Sequence, residues 1–439
     1  MVAWAKMLDI KLIREHPEKV RENLARRHDP EKLELLDHVI ETDRKWREFT
    51  QRVNDLRRRR NQISSEIGKA MKEGGDASSL KKEASEIPSQ LRELESQMSE
   101  SQEQLRDGLM RIPNMLHESV PYGEDDHDNV EVKRWGKQPV FGFEPKSHAE
   151  IVYALGIGDF ERGAKVSGSG FYYLRNELAL LDQAIQRYAV NHLIKKGFSL
   201  VVPPYMIRRA VYEGVTDLAD FESVMYKVED EDLYLIATSE HAMAAMLQDE
   251  TLLVEDLPIK LCGISPCFRR EVGAHGKYTR GLFRVHQFHK VEQFIFSLPE
   301  HSWGLHEELQ MNCEELYQGL GLHYRVVNVC TGDIGIIAAK KYDTEFWMAD
   351  GEFREIGSNS NCTDYQARRL NVKYRLKEGA PPEGFVHTLN NTAMATSRTM
   401  IAVIEQYQRE DGTVKVPEAL QPYMNGLKVI DGSLNKLHI

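Results

Sequence analysis

The residues best equipped for chemistry lie between Cys267 and Phe296, in CFRREVGAHGKYTRGLFRVHQFHKVEQFIF. Two strand-like arms flank a cationic, glycine-containing middle, the pattern of an antiparallel hairpin with a long loop. Side chains alternate across a strand. Arg269 and Glu271 therefore share a face on the first arm, and Arg284, His286, Phe288, Lys290 and Glu292 share one on the second. Charges of both signs around an aromatic ring do not suit a half-buried sheet unless something satisfies them. A nucleotide would do so, with arginines on phosphates, Phe288 on a base and a carboxylate on an amine. A solvated face with scattered ion pairs is the competing reading.

Other polar groups sit where strands run into helices. Thr238, Ser239 and Glu240 open a helix rich in Ala and Met, where they serve as caps or as ligand groups. Glu355 and Ser358 are expected at a strand end, and Arg398 falls early in a buried helix, where an unpaired cation is costly. No G-x-G-x-x-G follows a strand and no G-x-x-x-x-G-K-[ST] occurs, so a nucleotide needs another kind of site.

These groups need a scaffold, and 439 residues predict two or three domains. The mixture of short strands and amphipathic helices from Val130 onward, without regular βαβ alternation, predicts an α+β domain on an antiparallel sheet. Before it, Trp46, Phe49, Val53, Leu56, Ile63 and Ile67 repeat in steps of three and four, with Arg60 at the one polar seam position. After Gly74-Gly75 the repeat resumes at Leu80, Ala84, Ile87, Leu91 and Leu94, which predicts a long antiparallel helical hairpin. Pro88 should kink or break its second helix. Arg57, Arg58, Arg59 and Arg60, then Lys69 and Lys72, spread around the first helix and favour a polyphosphate partner over a merely solvated surface. The net charge of -11 does not oppose this, because a local basic stripe suffices. The acidic run Pro121–Asn129 reads as a linker rather than a metal site at His127.

The remaining totals exclude more than they assign. No apolar run reaches a membrane span, and the N-terminal residues turn charged too early for a secretory signal, so cytosol is expected. Cys262, Cys267, Cys313, Cys330 and Cys362 are scattered and without a CxxC pair, which predicts buried free thiols.

Taken in order, the Met7–Ile10 opening, the basic hairpin, FERGAKVSGSGFYYL, VVPPYM, ATSEH, FRREVG with TRGLFRVHQFHKVE, EIGSNSNCTDYQARR and EQYQREDGTVKVPEALQPYM resemble the seryl-tRNA synthetases of the common, zinc-independent class II type. The resemblance covers almost the whole chain. It implies a tRNA-binding domain at 1–120 with the arm at about 30–112, a linker at 121–135 and a class II catalytic domain at 136–439. It implies ATP-dependent ligation of serine to tRNA(Ser), and to tRNA(Sec) where present, by a cytoplasmic homodimer whose interface includes Pro203. Arg269, Arg398 and Glu355 would be the catalytic residues. Arg270, Glu271, Arg284, Val285, Phe288, Ile356, Gly357 and Ser358 would join them around ATP. Glu355 and Ser358 would hold Mg²⁺, and Thr238, Ser239, Glu240, Arg269, Glu292 and Thr392 would select serine. Arg57 to Arg60, Lys69 and Lys72 would bind tRNA, and Val272–Gly281, with His275, Lys277 and Arg280, would meet its acceptor end. Asn391-Thr392 stands where Gly-Ser is frequent in the family.

Two other readings fit parts of this pattern. A ligase loading a carrier protein would generally lack the basic hairpin, and a coiled-coil scaffold would have no use for the charged face around Phe288.

Overall fold

The computed structural model describes residues 9–216, 223–271 and 281–434. The chain divides into two compact units, one spanning Leu8–Pro113 and the other taking in Asn114–Ile439.

The first unit is helical. Asp9 caps α1 (Ile10–Glu15), which leads to α2 (Pro17–Ala25). The long helices α3 (Pro30–Lys72) and α4 (Ser78–Arg111) follow, and Gly74 at φ +73° turns the chain between them. At ~1.5 Å per residue, the 43 residues of α3 extend about 65 Å. The seam follows the heptads at its apolar positions: Val53, Ile63, Ile87, Leu91 and Leu94 are buried, with Phe49, Leu56, Ile67, Leu80, Ala84 and Met98 packed around them, while Arg60, expected at its polar position, is exposed. Pro88 does not break α4, which runs through it without interruption. The ring is exposed, while Ile87 and Leu91 on either side are held in the seam. Packing compensates for the hydrogen bond that proline cannot donate.

The second unit is built on an eight-stranded sheet: β1 (Val130–Trp135), β2 (Ser199–Val201), β3 (Ile259–Phe268), β4 (Gln287–Ser297), β5 (Tyr324–Asn328), β6 (Lys340–Trp347), β7 (Phe353–Asn361) and β8 (His387–Ala395). Their order is β1-β5-β6-β7-β8-β4-β3-β2. Every neighbouring pair is antiparallel except β2 with β3, in keeping with the expected α+β domain on an antiparallel sheet. One face packs on α6 (Asn176–Lys195), α8 (Ser302–Gly319) and α9 (Thr396–Gln406) through a core that includes Val291, Ile295, Leu316, Tyr317 and Ile401. On the other face a smaller cluster around Phe294, Phe296, Tyr212 and Met243 covers only part of the sheet. The rest of that face is the floor of a cavity.

The expected linker at 121–135 is instead part of this unit. β1 is the edge strand paired with β5, Thr331 N–H donates to the Pro121 carbonyl at 2.9 Å, and Cys330 N–H donates to Asn129 Oδ1 at 2.8 Å. Acidic composition marked solvent exposure, not freedom from the sheet. All five cysteines are buried and free.

Candidate active site

The cavity measures about 710 Å³ and is lined by residues of β4, β6, β7 and β8, of the chain around Arg269–Glu271 and Phe283–Val285, and of the first turn of α9. That volume suits a ligand of nucleotide size.

Alternation on β4 delivers Phe288, Lys290 and Glu292 to the cavity while Val291 and Ile295 enter the core. It does not extend back to His286, which precedes the strand, hydrogen-bonds through Nδ1 with the Tyr226 hydroxyl and stacks on Phe171 at 5.2 Å. His289, on the other parity, meets Asp182 at 3.1 Å. Both histidines have structural partners. Arg269 lies just past the end of β3, its guanidinium 5.3 Å from the centre of the Phe288 ring. Arg284 approaches Glu271 at 3.5 Å.

Glu355 and Ser358 lie inside β7, not at its end, and their odd spacing should put them on opposite faces. A register shift between the pairs Thr344–Gly357 and Glu345–Glu355 leaves Ile356 as an extra residue, which reverses the parity and brings both to the cavity. Ser358 Oγ lies 3.4 Å from Glu355 Oε1. A Cβ on Gly357 would stand 2.7 Å from Thr392 Cβ, so only glycine admits this approach of β7 to β8. Arg398 donates to the Glu355 carbonyl at 2.6 Å, faces its carboxylate at 3.6 Å and lies over Phe283 at 5.0 Å. Burial alone would raise the Glu355 carboxyl, but Arg398, Lys341 and Arg269 outweigh it and hold the group below its ordinary value. It therefore stays anionic, with 47 % of its side chain open to the cavity.

The opposite end is narrower. Thr392 pairs with Glu292 across β8 and β4. Lys290 Nζ reaches Glu292 Oε2 at 2.5 Å, and both side chains are buried. Thr238 caps α7 (Ser239–Ala244) by accepting from Glu240 N–H at 3.1 Å, so its capping role and its place on the cavity wall coexist. Glu240 accepts from Gln366 and Asn390, each at 3.1 Å. Burial, with Glu292 adding, lifts its carboxyl to about 7.

Sixteen candidate residues were expected here, and Ser239 alone does not line the cavity. Its hydroxyl is buried against Gly263, because the turn that aims Thr238 and Glu240 inward aims the residue between them away. The expected contact of Val272–Gly281 with an acceptor end falls, except for Gly281, outside the described residues.

Several lining residues escaped the sequence reading. Lys341 faces the cavity beside Asp343 at 3.3 Å; burial works against its charge, but Asp343 and Glu355 raise its value overall. The alternation of Lys341, Asp343 and Glu345 along β6 is the signal that singled out β4, and it could have been read. Burial, helped by Lys290 and Arg269, drives His241 down to about 3 and keeps it neutral. Asn391, which replaces the frequent glycine, points to the other face, where it accepts from Gln293 at 2.7 Å. The substitution therefore leaves the cavity unchanged.

On the arm, Arg57 pairs with Glu95, Arg58 with Asp55, and Arg59 with Glu83 and Glu66. Arg60, Lys69 and Lys72 are exposed and enter none of these pairs.

Residues 7–116 match the seryl-tRNA synthetase N-terminal domain, and residues 226–407 match the class II tRNA synthetase core domain of the G, H, P, S and T types. The serine–tRNA ligase of Methanoculleus marisnigri is 55 % identical over 97 % of this chain and all of its own length. Among solved structures, the seryl-tRNA synthetase of Pyrococcus horikoshii complexed with ATP superposes with a TM-score of 0.93 at 50 % identity, covering 97 % of this chain and 99 % of that one. The cytoplasmic enzyme of Naegleria fowleri in complex with AMP gives 0.87 at 38 % over the same shares. With likeness running over 97 % of the chain and through both units, the chain belongs to the seryl-tRNA synthetases.

Proposed function

We propose that the protein joins L-serine to tRNA(Ser), and to tRNA(Sec) where present, through a seryl-adenylate made from ATP. The observation that carries this reading is the convergence of Arg269, Phe288, Glu355 and Arg398 on one cavity whose far end holds Glu292, Thr392 and Glu240.

The serine carboxylate is already anionic and attacks the α-phosphorus in line, so the protein needs no nucleophile of its own. Its work is positioning and charge stabilisation. Phe288 provides a face for the adenine, with Glu271 at the amine edge. Arg269 neutralises the reacting phosphate and carboxylate, and Arg398 lies toward the leaving pyrophosphate. Arg270, Arg284, Val285, Ile356 and Gly357 complete the nucleotide walls. The terminal adenosine hydroxyl of the tRNA then attacks the seryl carbonyl and AMP departs.

The residues also fit a divalent cation. Glu355 is anionic and open to the cavity, Ser358 adds a hydroxyl, and the two would hold the ion together with phosphate oxygens of the nucleotide. Mg²⁺ held there would supply Lewis-acid polarisation of the phosphates.

At the serine end, Glu240 and Thr238 suit the ammonium, while Glu292 and Thr392 suit the hydroxyl. Groups left unpaired by alanine reject it by roughly 10⁴-fold or more. The exposed cations Arg60, Lys69 and Lys72 are the readiest phosphate contacts on the arm, with Arg57, Arg58 and Arg59 shared between internal pairs and tRNA. Exposed Leu200, Val202, Tyr205 and Met206 beside β2 and Pro203 support a homodimer interface, and the setting is the cytosol. No helix among the described residues is long and apolar enough to cross a membrane.

The test is ATP–pyrophosphate exchange with a panel of amino acids. Exchange that depends on serine supports the reading, and exchange with another amino acid but not serine overturns it.

A further inference from the structure

We propose that His148 is a positioning residue for amino acid activation, tying the helix that carries Arg398 to the strand approach that carries Phe283. This rests on the adenylation reading given above.

His148 opens α5 (His148–Leu155), behind the cavity wall, and it does not line the cavity. Its side chain is 1 % exposed, and that of Glu405, near the end of α9, is 0 % exposed. His148 Nδ1 lies 2.8 Å from Glu405 Oε1. On the other side of the ring, Nε2 accepts from the Leu282 backbone N–H at 3.2 Å. That acceptor role leaves the proton on Nδ1, so the imidazole donates to Glu405 and links two elements at once.

Each end of the link is fixed. Glu405 Oε1 also accepts from His148 N–H at 2.9 Å, and Oε2 accepts from Ala349 N–H at 2.8 Å. Gln408 clips the Lys146 backbone on both its N–H and its carbonyl, at 2.7 and 3.0 Å. At the other end, Gly281 has φ +81°, and a Cβ there would stand 2.4 Å from His148 Nε2. The backbone can reach the ring only because residue 281 has no side chain.

Leu282 is followed by Phe283, over which the Arg398 guanidinium lies at 5.0 Å. Arg398 and Glu405 ride on one helix, while Leu282 and Phe283 are adjacent in the other element. The imidazole therefore sets the separation between the cation and the ring on the nucleotide side of the cavity. The serine side, at Glu292 and Thr392, is not part of this link.

The test uses the full chain and steady-state exchange kinetics of His148→Asn and His148→Gln. Asparagine keeps a donor near Nδ1 but loses the acceptor for Leu282, whereas glutamine restores an acceptor near Nε2. His148→Asn should raise the KM for ATP about tenfold, the size expected for one buried N–H left unsatisfied, with the serine KM unchanged. His148→Gln, which keeps the acceptor for Leu282 but gives up the donor to Glu405, should fall between the parent and His148→Asn. Glu405→Gln should raise the ATP KM as well, and combined with His148→Asn it should add little, because both act through one link. It also serves as the measurement if His148→Asn does not fold. An unchanged ATP KM in the folded variants, additive effects, or equal rises for ATP and serine would overturn the proposal. Loss of serine-dependent exchange in the parent protein would count against the adenylation reading instead.

Discussion

Glu292 and Thr392 face each other across two antiparallel strands, hydroxyl and carboxylate 3.4 Å apart, while Lys290 holds the same carboxylate oxygen at 2.5 Å. With both charged side chains buried, the pair is costly to break from one side. Glu292→Ala should destabilise the catalytic unit by about 3–5 kcal/mol, because it strands the lysine. Thermal melts should show that loss, and they should show much of it recovered in a Lys290→Met, Glu292→Leu double variant. Serine activation should not recover.

Glu240 gives a pH signature. Its folded value, about 7, lies above the ordinary carboxyl value of 4.5. Between these limits the native protein keeps a proton that the unfolded chain has released, so its contribution to stability falls as pH rises from about 4.5 through 7. Ammonium binding has the opposite sense, since only the carboxylate attracts it. The serine KM should fall as pH rises through about 7, and Glu240→Gln should flatten both profiles. A parent profile unchanged across that range would remove Glu240 from the ammonium site.

Arg269 and Phe288 should separate by kinetics. Arg269→Ala removes the cation proposed to meet developing charge and should lower the exchange rate by about 10²–10³-fold. Phe288→Ala should weaken ATP binding by about 1–3 kcal/mol, the range for stacking a base on an aromatic ring, with smaller changes in kcat.

The arm can be probed by salt dependence. Replacing Arg60, Lys69 and Lys72 with alanine should reduce the slope of log affinity for tRNA against log salt by about 2–3, while exchange is unaffected. Arg59→Ala should change the slope less, because Glu83 and Glu66 already engage that guanidinium.

Much of the architecture was legible because periodicity reports burial. The heptads located the apolar seam of α3 and α4, and parity on β4 puts Phe288, Lys290 and Glu292 on one face. Where the reading failed, chain geometry broke the period. His286 lies one residue before the strand begins, so the alternation assigned to it did not apply. Glu355 and Ser358 share a face only through the extra residue at Ile356, which no composition rule marks. Acidic residues at 121–129 suggested a linker because side-chain polarity says little about backbone pairing. His148 offered no sequence signal of its own, since its importance lies in what it connects.

The extra residue at Ile356 also limits how this protein can vary. Deleting it would restore regular alternation and put Glu355 and Ser358 on opposite faces of the sheet. Along β7, then, the number of residues matters as well as their identity. An insertion or deletion there would take the cavity wall apart while Glu355 and Ser358 both remained in the sequence.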